Sequence, residues 1–341
     1  MQALEAHLEA VLRTDVPGAV VVANGPSLSW KGAAGVADAE SGAPMTTEHR
    51  FLIGSVSKTF VAAVVLQLVG EGALALDEEV GPIAEGVTLR QLLNHTSGLP
   101  DYYADFDSLI APYRADRGHK PNLTPRAALE LVHARPRLFP PGAGWEYSGG
   151  NYLALGLLVE EATGATLREE LKRRVTEPLG LEGTDLGDRA GLARAYLQPG
   201  NPVFPDPGEG LDDVTDVELF GWGAGEMIST ARDVARFLQA LLGGELLTPD
   251  VRAELLTTVP SDWEESDAYG LGIEEVSSLM GQAPSPCGPA WGHLGFAMGH
   301  TTIALSSESG DRQVVVCVNS LVTSEETWEA IGRLVWAGYC R

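Results

Sequence analysis

Ser55 and Lys58 stand three residues apart in FLIGSVSKTFVAAVVLQLVGEG, at the start of a segment whose body is nearly all apolar. That spacing puts both side chains on one helical face within a turn. A serine at such a point can aim its own backbone N–H, one of the unpaired donors of a helix N-terminus, at a developing oxyanion. Burial would favour the neutral amine of Lys58, the form a lysine general base requires. The chain holds four lysines, Lys31, Lys58, Lys120 and Lys172, and one Ser-x-x-Lys. The same four residues also read as a helix cap followed by a surface lysine, so the pattern needs companions.

Two companions follow downstream. Tyr147, in WEYSGGNYLALGLLVEEATG, sits in a Gly-rich loop that enters a helix at once. A phenol there can relay a proton if a nearby ammonium lowers its pKa, or it can simply be an aromatic packed on the core. In AWGHLGFAMGH, Gly292, Gly295 and Gly299 allow close backbone approach at a strand that could wall a cleft. His293 in that strand reads alone as a structural histidine.

The three elements, in this order and about 90 and then 145 residues apart, resemble the serine β-lactamase/DD-peptidase clan of penicillin-recognising enzymes. The stretches LRQLLNHTSGLPDY, FPPGAGWEYS, AGEMISTARDVARFL and YGLGIEE are similar, in sequence and order, to the serine DD-carboxypeptidases and class C β-lactamase-like esterases. The resemblance implies a serine hydrolase with Ser55 as nucleophile, Lys58 as its proton acceptor and Tyr147 as relay to the leaving group. His293-Leu294-Gly295 takes the third-motif position, which implies His293 as a further catalytic residue lining the site. The implied oxyanion hole is the backbone N–H of Ser55 and of Phe296. Cys287 and Cys340 match a disulfide of some DD-peptidases. No cofactor is implied, and the implied partner is a small-molecule or peptide substrate.

The chain departs from the clan at informative places. Where the second motif reads Tyr-x-Asn, this chain has Tyr147-Ser148-Gly149, and Asn151 falls at a later position. In the related DD-carboxypeptidases an Arg follows the Tyr-Gly-Leu-Gly-aliphatic stretch and two threonines flank the third-motif glycine, together holding the substrate's free carboxylate. The matching residues here are Glu274, Leu294 and Phe296. With Gly149, Glu274, Leu294 and Gly295 expected along the substrate, the implied substrate is an ester or amide lacking a free carboxylate beside the scissile bond. The alternatives are a D-Ala-D-Ala carboxypeptidase or β-lactamase, an acyltransferase, and a catalytically inactive binding protein of the same fold.

These residues need a scaffold, and the patterning supplies one. Strand-like GAVVVAN and LSWKGAAGVAD lie near one end and HTTIALSSE and RQVVVCVNS near the other, the last two joined by a turn as in a hairpin. Helical and loop patterns fill the middle. The expectation is an α/β (α+β) fold: an antiparallel sheet built from residues 1–75 and 225–341 and flanked by helices, enclosing a mainly helical domain at 76–224, with the site at their junction. The N-terminal helix, the helix after Ser55 and EETWEAIGRLVWAG are expected to cover the sheet.

Composition narrows the function further. In 341 residues, 23 basic side chains face 47 acidic ones, a formal charge of −24, which repels phosphate backbones and anionic lipid alike. Nucleic acid is not an expected partner. Three cysteines and seven histidines show neither zinc spacing nor HExxH, so no metal is expected. The apolar run Phe60 to Leu66 is far short of the roughly 18 residues of a membrane span. As written the chain shows no export signal, which reads as cytoplasmic, or extracytoplasmic if a signal peptide has been removed. Neither Gly-x-Ser-x-Gly nor a P-loop nor Gly-x-Gly-x-x-Gly occurs, which disfavours α/β-hydrolases and nucleotide-binding enzymes. The oligomeric state is not legible.

Overall fold

The computed structural model describes residues 1–102, 106–119, 123–201, 203, 210–261, 266–280 and 282–341. Among these, nine strands form one antiparallel sheet: β1 (Gly18–Gly25), β2 (Leu28–Asp38), β3 (Ala43–Pro44), β4 (Val259–Pro260), β5 (Ala268–Tyr269), β6 (Glu274–Val276), β7 (Ala290–Ala297), β8 (His300–Ser306) and β9 (Gln313–Val318). Their order is β3-β2-β1-β9-β8-β7-β6-β5-β4. The two ends of the chain therefore meet in mid-sheet, with Ala19 opposite Val318 and Asn24 opposite Gln313. The expected hairpin is β8–β9, in which Ile303 faces Val316.

GAVVVA and QVVVCV are continuous apolar runs because helices cover both faces of the sheet. On one face lie α1 (Gln2–Leu12) and α5 (Glu325–Tyr339). Their Leu4, Leu8, Ile331, Leu334 and Val335 bury against Val21, Ile303 and Val316. The opposite face carries α2 (Val56–Gly70) and α4 (Ala231–Leu242), in contact with Val20, Val22, Val315 and Cys317. Phe60 of α2 stacks on Phe237 of α4 at 3.7 Å between ring centroids. Each such side chain contributes roughly 1.5–3 kcal/mol on burial. The sequence reading did not foresee α4 as a sheet cover, although Val234, Phe237, Leu238 and Leu241 recur at helical spacing and are all buried.

Two helices are apolar all the way round, as interior helices are. In α2 every residue from Val56 to Leu66 is buried, and in α3 (Gly149–Thr163) every residue from Gly149 to Val159. They pack against each other, and each begins at a residue singled out for chemistry or next to one. Cys287 and Cys340 are bonded through their Sγ atoms, tying the end of α5 to the segment before β7. Cys317 is a buried free thiol that burial pushes up to about 12. No helix among the described residues is long and apolar enough to cross a membrane, and none of those residues forms a cluster of three or more His, Cys, Asp or Glu placed to hold a metal.

Candidate active site

Ser55 occupies the cap position of α2, with helical φ −62° and ψ −13°. The turn before it is tight, because Gly54 has φ +53° and a Cβ there would stand 2.5 Å from the backbone N of Phe296. From the other side, a Cβ on Gly295 would stand 2.0 Å from the Ile53 carbonyl oxygen. Two glycines thus let β7 press its backbone against the turn that carries Ser55, bringing the Phe296 N–H beside the helix N-terminus.

Lys58 lies one turn along α2 and is 3% exposed. Its Nζ donates to Ala224 O at 2.6 Å and to Ser55 Oγ at 3.1 Å. Burial pulls its pKa down to about 8, while the carboxylates of Asp101 and Glu274 pull the other way. The Nζ also sits 4.8 Å from the centroid of the Tyr147 ring and 5.7 Å from that of Tyr152.

Tyr147 approaches from the loop that starts α3. Ser148 fixes it: the Ser148 side chain accepts from Gly150 N–H at 3.1 Å and donates to Pro100 O at 3.0 Å. The backbone N–H of Ser148 donates to His95 Nδ1 at 3.1 Å. The His95 ring lies 4.4 Å from that of Tyr147. Burial raises the Tyr147 pKa well above the ordinary phenol value, and a hydrogen bond with Ser55 only partly offsets this. Burial thus favours the neutral phenol.

Ser55, Lys58, Tyr147, Gly149 and Phe296 all line one cavity of about 290 Å³. Its other walls include Asp101, Tyr102, Arg189 and Glu226 and an apolar group of Val203, Val217, Leu219, Met298 and Leu321. The sequence reading named none of these nine, though Asp101 and Tyr102 close the LRQLLNHTSGLPDY stretch and Glu226 lies within AGEMISTARDVARFL. The Gly149 departure has a steric cause here, since a Cβ at that position would come 2.5 Å from Tyr102 Cε1. Asn151 is scaffold: it accepts from Ser97 Oγ at 2.6 Å and contacts His95 Nδ1 at 3.0 Å.

Three residues expected along the substrate, and His293, expected among the catalytic groups, do not line the cavity. Side chains alternate along β7, so Leu294 turns into the core beneath α1 and α5. Gly295 faces Ile53 and serves backbone approach. His293 is 2% exposed and stands behind Tyr147, 6.1 Å ring to ring. Its Nδ1 lies 2.6 Å from Leu294 O and 3.0 Å from Glu274 Oε1, both acceptors, so Nδ1 carries the proton. Its Nε2 then accepts from Tyr269 Oη at 3.1 Å. Burial and the field of Lys58 hold it neutral, with a pKa near 3. Glu274 is 2% exposed and outside the cavity, with Oε1 at His293 Nδ1.

A family model described as Beta-lactamase matches residues 2–334. The chain belongs to that family. It is 29% identical to Esterase EstB of Burkholderia gladioli over 341 aligned residues, covering 85% of this chain and 78% of that protein. It is 28% identical to Penicillin-binding protein 4* of Bacillus subtilis, covering 78% of this chain but only 62% of that protein, so it spans less than two thirds of this relative's length. Among solved structures, the D-amino acid amidase from Ochrobactrum anthropi SV3 complexed with L-phenylalanine superposes with TM-score 0.86 at 26% identity, covering 98% of each chain. The α+β sheet-and-helix architecture is that of this family.

The close approach of β7 to the Ser55 turn makes a direct prediction. Gly295→Ala must force the Ile53 carbonyl away and with it the Phe296 N–H; on the expectation that this N–H is an oxyanion donor, its loss costs about 10²–10³ in kcat. Steady-state kinetics of the folded variant on an ester substrate checks this, and unchanged kcat would remove the strand from the site.

Proposed function

We propose that this chain is a serine hydrolase that opens esters or amides through an acyl-enzyme. The observation that carries the reading is the contact between a buried amine and a serine hydroxyl at a helix N-terminus: Lys58 Nζ to Ser55 Oγ at 3.1 Å, facing a cavity. The competent form is neutral Lys58, which takes the Ser55 proton as Oγ attacks the substrate carbonyl carbon. Backbone N–H groups of Ser55 and Phe296 receive the negative charge on the carbonyl oxygen. The proton passes through Tyr147 to the leaving alcohol or amine, whose bond to the carbonyl carbon breaks and leaves an ester on Ser55. Water then gives a proton back along the same groups and attacks that ester, releasing the acid and restoring the Ser55 hydroxyl.

Substrate preference follows from the walls. Asp101 bears on Lys58 and Tyr147 electrostatically, and Gly149 N–H donates to its Oδ2 at 3.1 Å, which fixes the carboxylate beside the reacting groups. A substrate carboxylate next to the scissile bond would meet this charge in a partly dry cavity. Asp101, unlike Glu274, is a carboxylate on the cavity wall. Val203, Val217, Leu219, Met298 and Leu321 suit an apolar acyl or alcohol group. The esterase and D-amino acid amidase names among the relatives support ester or amide cleavage over β-lactam turnover.

Lys58→Ala and Tyr147→Phe are each expected to lower kcat by at least about 10²-fold on an amide substrate, the scale of a positioned acid or base. Near-normal turnover by Tyr147→Phe would reduce that residue to a packed aromatic. In the wild-type chain, kcat/KM for a D-Ala-D-Ala peptide should fall below that for its C-terminal amide or methyl ester. A clear preference for the free acid would contradict the assigned substrate class.

A further inference from the structure

His95 combines two unfavourable features in one buried residue. Its backbone is left-handed, with φ +63°, in a side-chain-bearing residue. It follows Asn94, which caps the five-residue helix Leu89–Leu93, at a position where glycine or asparagine is the usual choice. The ring is fully buried, and its Nε2 has no hydrogen-bond partner among the described residues. An unpaired buried N–H and a left-handed backbone outside glycine both cost stability, and such outliers cluster where function constrains the chain. Glycine would take this backbone without strain, so the surroundings of the imidazole must hold it there.

Those surroundings are the two chain neighbours of Tyr147. The His95 carbonyl oxygen accepts from Glu146 N–H at 3.1 Å, and His95 Nδ1 accepts from Ser148 N–H at 3.1 Å. The imidazole lies 4.4 Å from the Tyr147 ring, tilted by 32°. Asn151 fixes the tautomer: its Oδ1 accepts from Ser97 Oγ at 2.6 Å, which leaves its Nδ2 to donate to His95 Nδ1 at 3.0 Å. With two N–H groups aimed at Nδ1, the proton of the neutral ring sits on Nε2. We infer that His95 is a positioning residue for Tyr147: by bonding the residues on both sides of it and packing on its ring, His95 holds the phenol where it passes a proton to the leaving group. The inference rests on the proposed reaction, in which Tyr147 is that relay.

The position of the phenol matters more for one step than for the others. A leaving alkoxide must be protonated as its bond to the carbonyl carbon breaks, and misplacing the donor by about 1 Å costs on the order of 10²-fold. A nitrophenolate leaves as the anion and needs no such proton. Ser55 and Lys58, which carry out the attack, are held by α2, a different element from the loop that His95 braces. A displaced Tyr147 therefore selects against poor leaving groups. Partial unfolding, by contrast, removes competent molecules and lowers the rate on every ester by the same factor.

The test is kcat/KM of the full chain on p-nitrophenyl butyrate and on methyl butyrate, which share an acyl group and differ in leaving group, for wild type, His95→Gly, His95→Asn and Tyr147→Phe. Glycine adopts the left-handed backbone freely and removes the ring, whereas asparagine also tolerates that backbone and places an Oδ1 where Nδ1 stood. His95→Gly should lose roughly 10²-fold on the methyl ester and at most about tenfold on the nitrophenyl ester. His95→Asn should bring the ratio of the two back toward wild type. Equal losses on both esters in His95→Gly, or no loss, while Tyr147→Phe spares the nitrophenyl ester, overturn the inference. Should His95→Gly fail to fold, His95→Leu fills the space without an acceptor and carries the same expectation. If Tyr147→Phe itself loses both esters equally, the relay reading fails and takes the inference with it, which is a distinguishable result.

Discussion

A lysine with almost no contact with water is the constraint on which the site depends. Lys58 sits on an interior helix, and its ammonium has little to hold it beyond the Ala224 carbonyl, the Ser55 hydroxyl, two aromatic faces and the fields of Asp101 and Glu274. Desolvation wins this contest in part, bringing the amine down to about 8. At neutral pH an appreciable minority of the chains then carries the free amine next to Ser55 Oγ. Had α2 been amphipathic with Lys58 on its wet face, the same Ser-x-x-Lys would be an ordinary cap and an ordinary surface charge.

The surrounding architecture can be understood as what keeps that lysine dry and its neighbours in reach. Covering the sheet on both faces forces α2 into the interior, and α3 packs on it so that Tyr147 arrives over Lys58. Gly54 and Gly295 remove the two Cβ atoms that would otherwise hold β7 off the Ser55 turn. Tyr102, pressed against Gly149, takes space that an amide side chain would need, which makes the cavity more apolar at that point.

Much of this was legible in the sequence, for physical reasons that differ from residue to residue. Ser55, Lys58 and Tyr147 could be singled out because an apolar helix begins at a serine and a tyrosine enters a second apolar helix, while their expected roles came from the resemblance to the clan. Continuous Val-rich runs at both ends marked a covered sheet, and the SGD turn marked the β8–β9 hairpin. Glu274, Leu294 and His293 were misplaced because facing depends on strand alternation and on register with β6 and β8, which position in a motif does not carry. Leu294 lies one residue from His293 and points to the opposite face. Asp101, Arg189 and Glu226 come from loops far apart in the chain, where no periodicity signals which side chains converge. The helix α4 was missed as a sheet cover although its apolar stripe was visible, since a stripe says that a face is buried and not against what.

The central claim is that Ser55 Oγ bonds covalently to the substrate's acyl carbon. Intact-protein mass spectrometry after exposure to a fluorophosphonate or a slowly hydrolysed ester, followed by peptide mapping, measures this directly. The account predicts a single adduct on the peptide containing Ser55, absent from Ser55→Ala and strongly slowed in Lys58→Ala. An adduct at a different serine, or turnover of the ester by Ser55→Ala at the wild-type rate, would contradict it.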